Sequence, residues 1–452
     1  MVTAAGTSDP EEHDMSTAHG KSTAHDMSAA HDRSDPVVPT YSDAERERRW
    51  GLLRSVMHRA GLDAMLVFGE HEDSGPAPFA YDAWITNDRP GMTVLVPRDG
   101  DPISLLPMEM FSKDHLESAR RGESLWIAPE NLRTPRDSRV VIATLHELGL
   151  ARAAIGVVGL EPYPPWHPEG IMPYGLWSTV LAEFPEADFR PVGALLSRLI
   201  MPLGAEEIAV VRRSAAIGDA MARAMVEAAA PGVPESAVYA AGMAAGYARG
   251  TTPAAMHFWS GPAPLASGLP PWSYRPQAPR VLADGDVISA EVFAHVAGRH
   301  TQHQVTITLG PPHEDLRRAA DVAREAYDAG LAALRPGRTF GDVVEDLRGP
   351  YRAAGGWEFG PAIHTLNPMI AAAGFPVEAS RRRAGADAYP PETDRPTMAA
   401  DMVLEPGMTF ALEPNYAYGR HLAYLGGTVL VTDDEPLELN PYTARLLRAG
   451  GG

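Results

Sequence analysis

Cysteine is absent from all 452 positions. That absence removes disulfides, thiolate nucleophiles, Cys-ligated zinc and iron–sulfur clusters together, and it is compatible with a reducing compartment. Long apolar runs are missing too, since no stretch approaches the roughly 20 residues a helix needs to span a bilayer. The opening MVTAAGTSDPEEHD has no basic start followed by an apolar core, so a secretory leader is not expected and the cytoplasm is the default compartment. Positive charge is scarce: 39 Lys and Arg stand against 58 Asp and Glu, a formal net charge of −19. Such a surface repels phosphate backbones and anionic lipid heads, so neither nucleic acid nor membrane is an expected partner.

What is present is a globular composition. Hydrophobic residues make up 45% of the chain, enough for a full core. At roughly 150 residues per domain the length implies two or three units. Residues 1–38 are set apart by a degenerate repeat, HDMSTA, HGKSTA, HDMSAA and HDRSDP, which spaces His13, His19, His25 and His31 six residues apart. It has too little apolar surface to offset the entropy of ordering it, so it is expected to be a disordered tail. Weak transition-metal capture is its functional alternative.

From Tyr41 the pattern changes. The run DAERERRWGLLRSVMHRAGLDAMLVF reads as an amphipathic helix with Trp50, Leu53, Val56 and Met57 on one face, stopped by Gly61 and followed by a buried strand, Ala64–Phe68. GMTVLVPRDGDPISLLP reads as two strands about an Arg-Asp-Gly-Asp turn. Helix 139–149 and strand 153–159 continue the alternation, which makes 39–200 an α/β domain. Residues 201–452 read differently: helices near 205–230, 235–248, 314–334 and 340–354 surround strands near 287–297, 304–310, 408–413 and 427–432, with a Pro/Trp-rich loop at 252–280. Helices around a mostly antiparallel sheet make this an α+β domain.

The ordered set ERERRWGLLRSVMHRAGLDAMLVF, DGDVIS, LRPGRTFGDVVEDL, FALEP and GGTVLVTDDEP resembles the creatinase/aminopeptidase-P/prolidase family. The resemblance covers roughly residues 41–440. It implies a pita-bread fold and a hydrolase, a homodimer by analogy with creatinase and aminopeptidase P, and a small-molecule substrate. The family's metallopeptidases hold two divalent ions with two Asp, one His and two Glu. Those positions fall here on Glu291, Gln302, His364, Glu413 and Gly426. An amide is a poor ligand and glycine offers none. The resemblance to creatinase, the metal-free branch, therefore implies a metal-independent enzyme with no cofactor, cleaving a C–N bond of a small polar substrate. Creatinase's catalytic His position falls on Tyr274 and its substrate-gripping Glu on Gln304, so creatine itself is not the expected substrate.

The catalytic residues expected on this reading are Glu291, His364 and Glu413. Glu413 lies in an otherwise apolar strand, where an unpaired carboxylate costs several kcal/mol. Glu291 shares a strand face with Phe293 and His295. His364 could be a ligand, a general base or a packed core histidine. Gln302 and Gln304 share a strand face and suit a polar substrate, with His303 turned the other way. His257, Trp272, Tyr274 and Tyr424 are further candidate substrate contacts, with Trp259 in the same aromatic loop and Tyr424 able to fill space left by the missing Glu. Three alternatives stand beside the main reading: a hydrolase of the Xaa-Pro peptidase kind holding one metal ion on Glu291, His364 and Glu413, a biosynthetic lyase or cyclase on the same fold, and a non-catalytic binding protein.

Overall fold

A computed structural model describes residues 38–69, 81–162, 167, 169–251, 254–376 and 396–450. The repeat tail lies outside the described residues.

Helix Asp43–Ala60 begins where Ser42 accepts a hydrogen bond from the Glu45 N–H and ends at Gly61, whose φ of 62° is the left-handed conformation glycine adopts freely. Its expected face, Trp50, Leu53, Val56 and Met57, is buried. It packs on a six-stranded sheet ordered Leu132–Arg133, Ile103–Leu105, Thr93–Pro97, Ala64–Phe68, Ala154–Val158 and Asp188–Pro191. The Arg98–Asp101 turn joins two antiparallel strands as its residues require, with Val94 opposite Ser104.

The remainder is built on two larger sheets. In the first, His257–Gly261, Val287–Val296, Arg299–Thr308 and Leu447–Arg448 lie in that order under helices Ala205–Ala228 and Glu235–Tyr247. In the second, Met369–Gly374, Ile363–Leu366, Thr409–Leu412, Gly427–Leu430 and Leu437–Glu438 form an antiparallel ladder. The sheets meet face to edge. Gln304 N donates to Gly426 O at 3.2 Å, and Gln302 N donates to Thr428 Oγ1 at 3.0 Å. Arg299–Thr308 is buried along its whole length, polar residues included. Alternation on a strand with two covered faces therefore points Gln302 and Gln304 into one enclosed space and His303 into another.

Two segments differ from the sequence expectation. The helix expected over 340–354 is two, Phe340–Leu347 and Gly349–Ala354, because Pro350 brings no N–H to continue the first. The loop expected over 252–280 contains the strand His257–Gly261, whose five residues HFWSG show no alternation of their own and are held by pairing with Val287–Val296.

A buried ion cluster ties the first helix to the second half of the chain. Glu207, with 0% of its surface exposed, meets the guanidinium groups of Arg48, Arg49 and Arg299 and accepts from Trp84 Nε1 at 2.9 Å. Arg299 opens the strand that carries both glutamines, so this cluster fixes the near end of the site.

Candidate functional site

Five polar side chains converge where the two sheets meet. Glu291 projects from Val287–Val296, Gln302 and Gln304 from the neighbouring strand, His364 from Ile363–Leu366, and Glu413 stands just past Thr409–Leu412. Ladder register brings them together: Glu291 is paired with Gln304, Phe293 with Gln302, and His364 with Ala411. All five are buried. Gln302 Nε2 donates to Glu291 Oε1 and, at 3.2 Å, to Glu413 Oε2; Gln304 Nε2 donates to that same Glu413 oxygen. His364 Nε2 lies 3.0 Å from Glu413 Oε1, and its Nδ1 lies 2.8 Å from Thr365 O.

Burial and like charge act together on Glu413. Burial comes first for Glu413; Glu291 adds repulsion while His364 pulls the other way, and the carboxyl is pushed up to about 7. Burial opposes the charge on His364, but its hydrogen bond to Glu413 and that group's charge outweigh it and raise the imidazole.

A sixth member comes from the aromatic loop. His257 is register-paired with Glu291, and its Nδ1 lies 2.9 Å from Glu291 Oε2 and 3.1 Å from Ser267 Oγ. Burial opposes its charge, and Glu291 outweighs burial to raise its pKa. With 36% of its side chain exposed, against 3% for His364, it is the member an incoming molecule reaches first. Its ring stands edge-on to Phe293.

The other candidates are placed less closely. Tyr424 is buried beside the site, tied through its backbone to Thr306 Oγ1, with its ring 5.6 Å from Phe359. Burial, then Glu291, raises its phenol well above the usual value; Ser267 works against this and Glu413 adds to it. The hydroxyl therefore sits in the field of both carboxylates. Trp272 packs edge-on against Tyr239 with centroids 5.4 Å apart. Tyr274 is 54% exposed, with Arg275 over its ring. The structure does not bring these two to the carboxylates; the extra loop between His257 and Arg280 carries them away, and His257 stands at the position across from Glu291. Trp259 turns its ring into a separate recess lined by Pro262, Ala263, Leu265, Arg280 and Arg420. His303 packs against helix Ala205–Ala228, its Nε2 3.2 Å from Ala215 O. Sequence reasoning missed Ser267, which carries no local pattern and enters only because its loop folds back onto His257.

By the chemistry of its donors the site suits one divalent ion and not two. Glu291, Glu413 and His364 supply two anionic oxygens and a nitrogen. Among the described residues the buried carbonyl oxygens Gln302 Oε1 and Gln304 Oε1 have no hydrogen-bond partner, and they are neutral oxygen donors beside them. At Gly426 a side chain is excluded as well as missing: φ is 134°, and an added Cβ would stand 2.1 Å from Leu412 O. A second ion has no carboxylate there to bridge it.

Residues 209–433 match the model of the metallopeptidase family M24. The chain is similar to methionine aminopeptidase 1 of Mycobacterium tuberculosis, 27% identical over 270 residues that span 55% of this chain and 97% of that protein. Among solved structures, the Xaa-Pro dipeptidase from Bacillus anthracis superposes over 89% of this chain and 99% of its own, with a TM-score of 0.65 at 18% identity. The dipeptidase PepE from Mycobacterium ulcerans covers 90% and 99%, with a TM-score of 0.64 at 21% identity.

These findings correct the expectation of a metal-independent, creatinase-like enzyme with no cofactor: the matching family is one of metallopeptidases. The physical reason lies in the same residues. The sequence argument counted lost anionic ligands. It did not count the cost of burying Glu291 beside Glu413, which one cation offsets, nor the two amide oxygens left without donors.

Proposed function

As the chain belongs to the creatinase/aminopeptidase-P/prolidase superfamily of pita-bread hydrolases, we propose that it is a metal-dependent hydrolase of small peptides, of the dipeptidase or Xaa-Pro peptidase kind, using a single divalent ion. One observation carries the reading: two buried carboxylates, an imidazole and two donor-free amide oxygens converge, and Gly426 closes the place where a second ion's ligand would stand.

Glu291, Glu413 and His364 would hold the ion, with Gln302 Oε1 as a neutral fourth oxygen. The bound ion supplies Lewis acidity toward the scissile carbonyl and makes water a stronger nucleophile near neutral pH. Glu413, in contact with His364 at 3.0 Å, would accept the proton that the attacking water releases. His257 lies at the open side of the site and is kept protonated further into the neutral range by Glu291. It hands a proton to the departing amine, so water and amide become acid and free amine. Phe293, edge-on to the His257 ring, and the buried Tyr424 supply apolar surface beside these groups.

The reading extends to a homodimer in the cytoplasm, on the strength of the family resemblance; light scattering at twice the chain mass tests the first part. For the activity itself, release of free amino acid is measured on a panel of dipeptides that includes Xaa-Pro. His257→Ala should lose kcat by about 10²–10⁴-fold, the contribution typical of a positioned proton donor. An unchanged kcat would remove that residue from the mechanism.

A further inference from the structure

A second group of metal-type side chains lies outside the site just described. His313 is the residue before helix Glu314–Ala333, Asp315 lies in that helix's first turn, and His421 opens the strand His421–Ala423. One ligand atom from each falls within 4.8 Å of the other two. The two imidazoles are stacked almost parallel, with centroids 3.8 Å apart and planes 2° apart.

We propose that His313, Asp315 and His421 form a peripheral transition-metal site that fastens the start of helix Glu314–Ala333 to the hairpin Tyr416–Ala423. Two imidazoles and one carboxylate favour zinc, nickel or copper over magnesium or calcium, which prefer an all-oxygen shell. The three ligands come from segments more than a hundred residues apart, so the ion would be a cross-link and not a loop ornament.

The geometry is close to what coordination needs. Ligand atoms about 2.1 Å from one ion, at tetrahedral or octahedral angles, stand roughly 3.0–3.4 Å apart. A set already within 4.8 Å needs only short shifts in distance, but an imidazole lone pair lies in its ring plane, so the two parallel rings must also turn out of their stack to face one ion. The frame beneath is packed: Leu316, Ala319, Ala320 and Ala323 of the helix form one buried cluster with Tyr416, Ala423 and Leu425. Arg318 lies over the Tyr418 ring at 4.2 Å and takes Asp315 Oδ1 at 3.1 Å. Asp315 Oδ2 is left 4.0 Å from His313 Nδ1. That nitrogen now accepts from the Asp315 N–H, a helix cap that an ion bound there would displace. With 56% of the His313 side chain exposed, the ion can enter from solvent.

The hairpin connects this edge to the catalytic region, because Glu413 precedes it and Tyr424 follows it. An ion at its tip would damp the motion of the segment that holds both.

The test is zinc titration by calorimetry on the full chain, stripped with chelator and dialysed. The variants are His421→Ala, His313→Asn and the shape-preserving Asp315→Asn. His421→Ala and His313→Asn should each bind one zinc ion fewer per chain than the unaltered protein. Asp315→Asn should weaken that ion by at least the ~10–100-fold that loss of even an outer partner costs. Zinc should slow hydrogen exchange of the amides at 416–423 in the unaltered protein and leave His421→Ala unaffected. Any ion on the catalytic residues or the repeat tail is common to all of these proteins and cancels. Glu413→Ala separates the two sites, since it removes the catalytic ion and leaves this one. Equal zinc stoichiometry and affinity in all four proteins, or exchange that zinc slows equally in His421→Ala, would overturn the proposal.

Discussion

His364 Nε2 stands 3.0 Å from Glu413 Oε1, joining two antiparallel strands at the point where Glu413 N donates to Ala362 O at 2.8 Å. The pair is buried, and both members hold their protons more tightly than in the unfolded chain. A folded state that binds more protons than the unfolded one loses stability as pH rises. In chelated protein the Glu413 contribution is complete below its unfolded value of about 4.3 and is lost as pH rises through about 7. Thermal melts of the chelated protein should therefore show Tm falling between roughly pH 5 and 8. A divalent ion that keeps Glu413 ionised should flatten that fall. A Tm that rises across this window without metal would refute the assignment.

Gln302 is the amide that separates Glu291 from Glu413. Gln302→Leu removes the donor both carboxylates share and should destabilise the chelated protein by about 1–3 kcal/mol, the cost of leaving buried acceptors unsatisfied. Urea midpoints with and without added ion check it, and the loss should shrink when the ion is present.

Gly426 lies at φ 134°, with an added Cβ 2.1 Å from Leu412 O. Gly426→Ala should cost about 2–4 kcal/mol from backbone strain and displacement. Gly426→Glu should cost at least as much and should not recruit a second ion, because its carboxylate arrives only if the Leu412 backbone moves. Elemental analysis of the folded fraction reads the second part.

Glu207 is the acid among three arginines. Glu207→Gln leaves Arg299 buried without its counter-charge, while Arg49 keeps Glu45 at 2.8 Å, and should cost about 3–5 kcal/mol. Arg299 starts the strand that bears Gln302 and Gln304, so the variant should also lower kcat with the dipeptide substrate. Wild-type stability in this variant would mean that the arginines find other partners.

The fold was legible wherever an apolar period is long, as in Asp43–Ala60 and Glu314–Ala333, or where a landmark such as FALEP fixes the register. His257–Gly261 was hidden because its pairing partner lies beyond a Pro-rich loop. Counting residues along the chain therefore puts creatinase's catalytic-histidine position on Tyr274, whereas the residue across from Glu291 is His257. Glu291, His364, Glu413 and the two glutamines were legible as a group because strand alternation and ladder register are short-range rules. Their relation to metal was not. It depends on whether the one oxygen of each amide has a donor and on how close two acids lie, and neither quantity is written in residue types. The pair His313 and His421 was invisible for the same reason, being joined only by the packing of a helix on a hairpin.

The central claim is that one divalent ion, held by Glu291, His364 and Glu413, is needed for peptide hydrolysis. The most direct measurement strips the protein with chelator and adds back manganese, cobalt or zinc in steps. Dipeptide cleavage is followed together with elemental analysis, in His421→Ala so that only the catalytic site is counted. Activity should vanish on chelation and return to its plateau as one further ion per chain is bound, with no such return in Glu413→Ala. Cleavage that persists at full rate in the chelated protein, or a plateau reached only at two further ions per chain, would contradict the account.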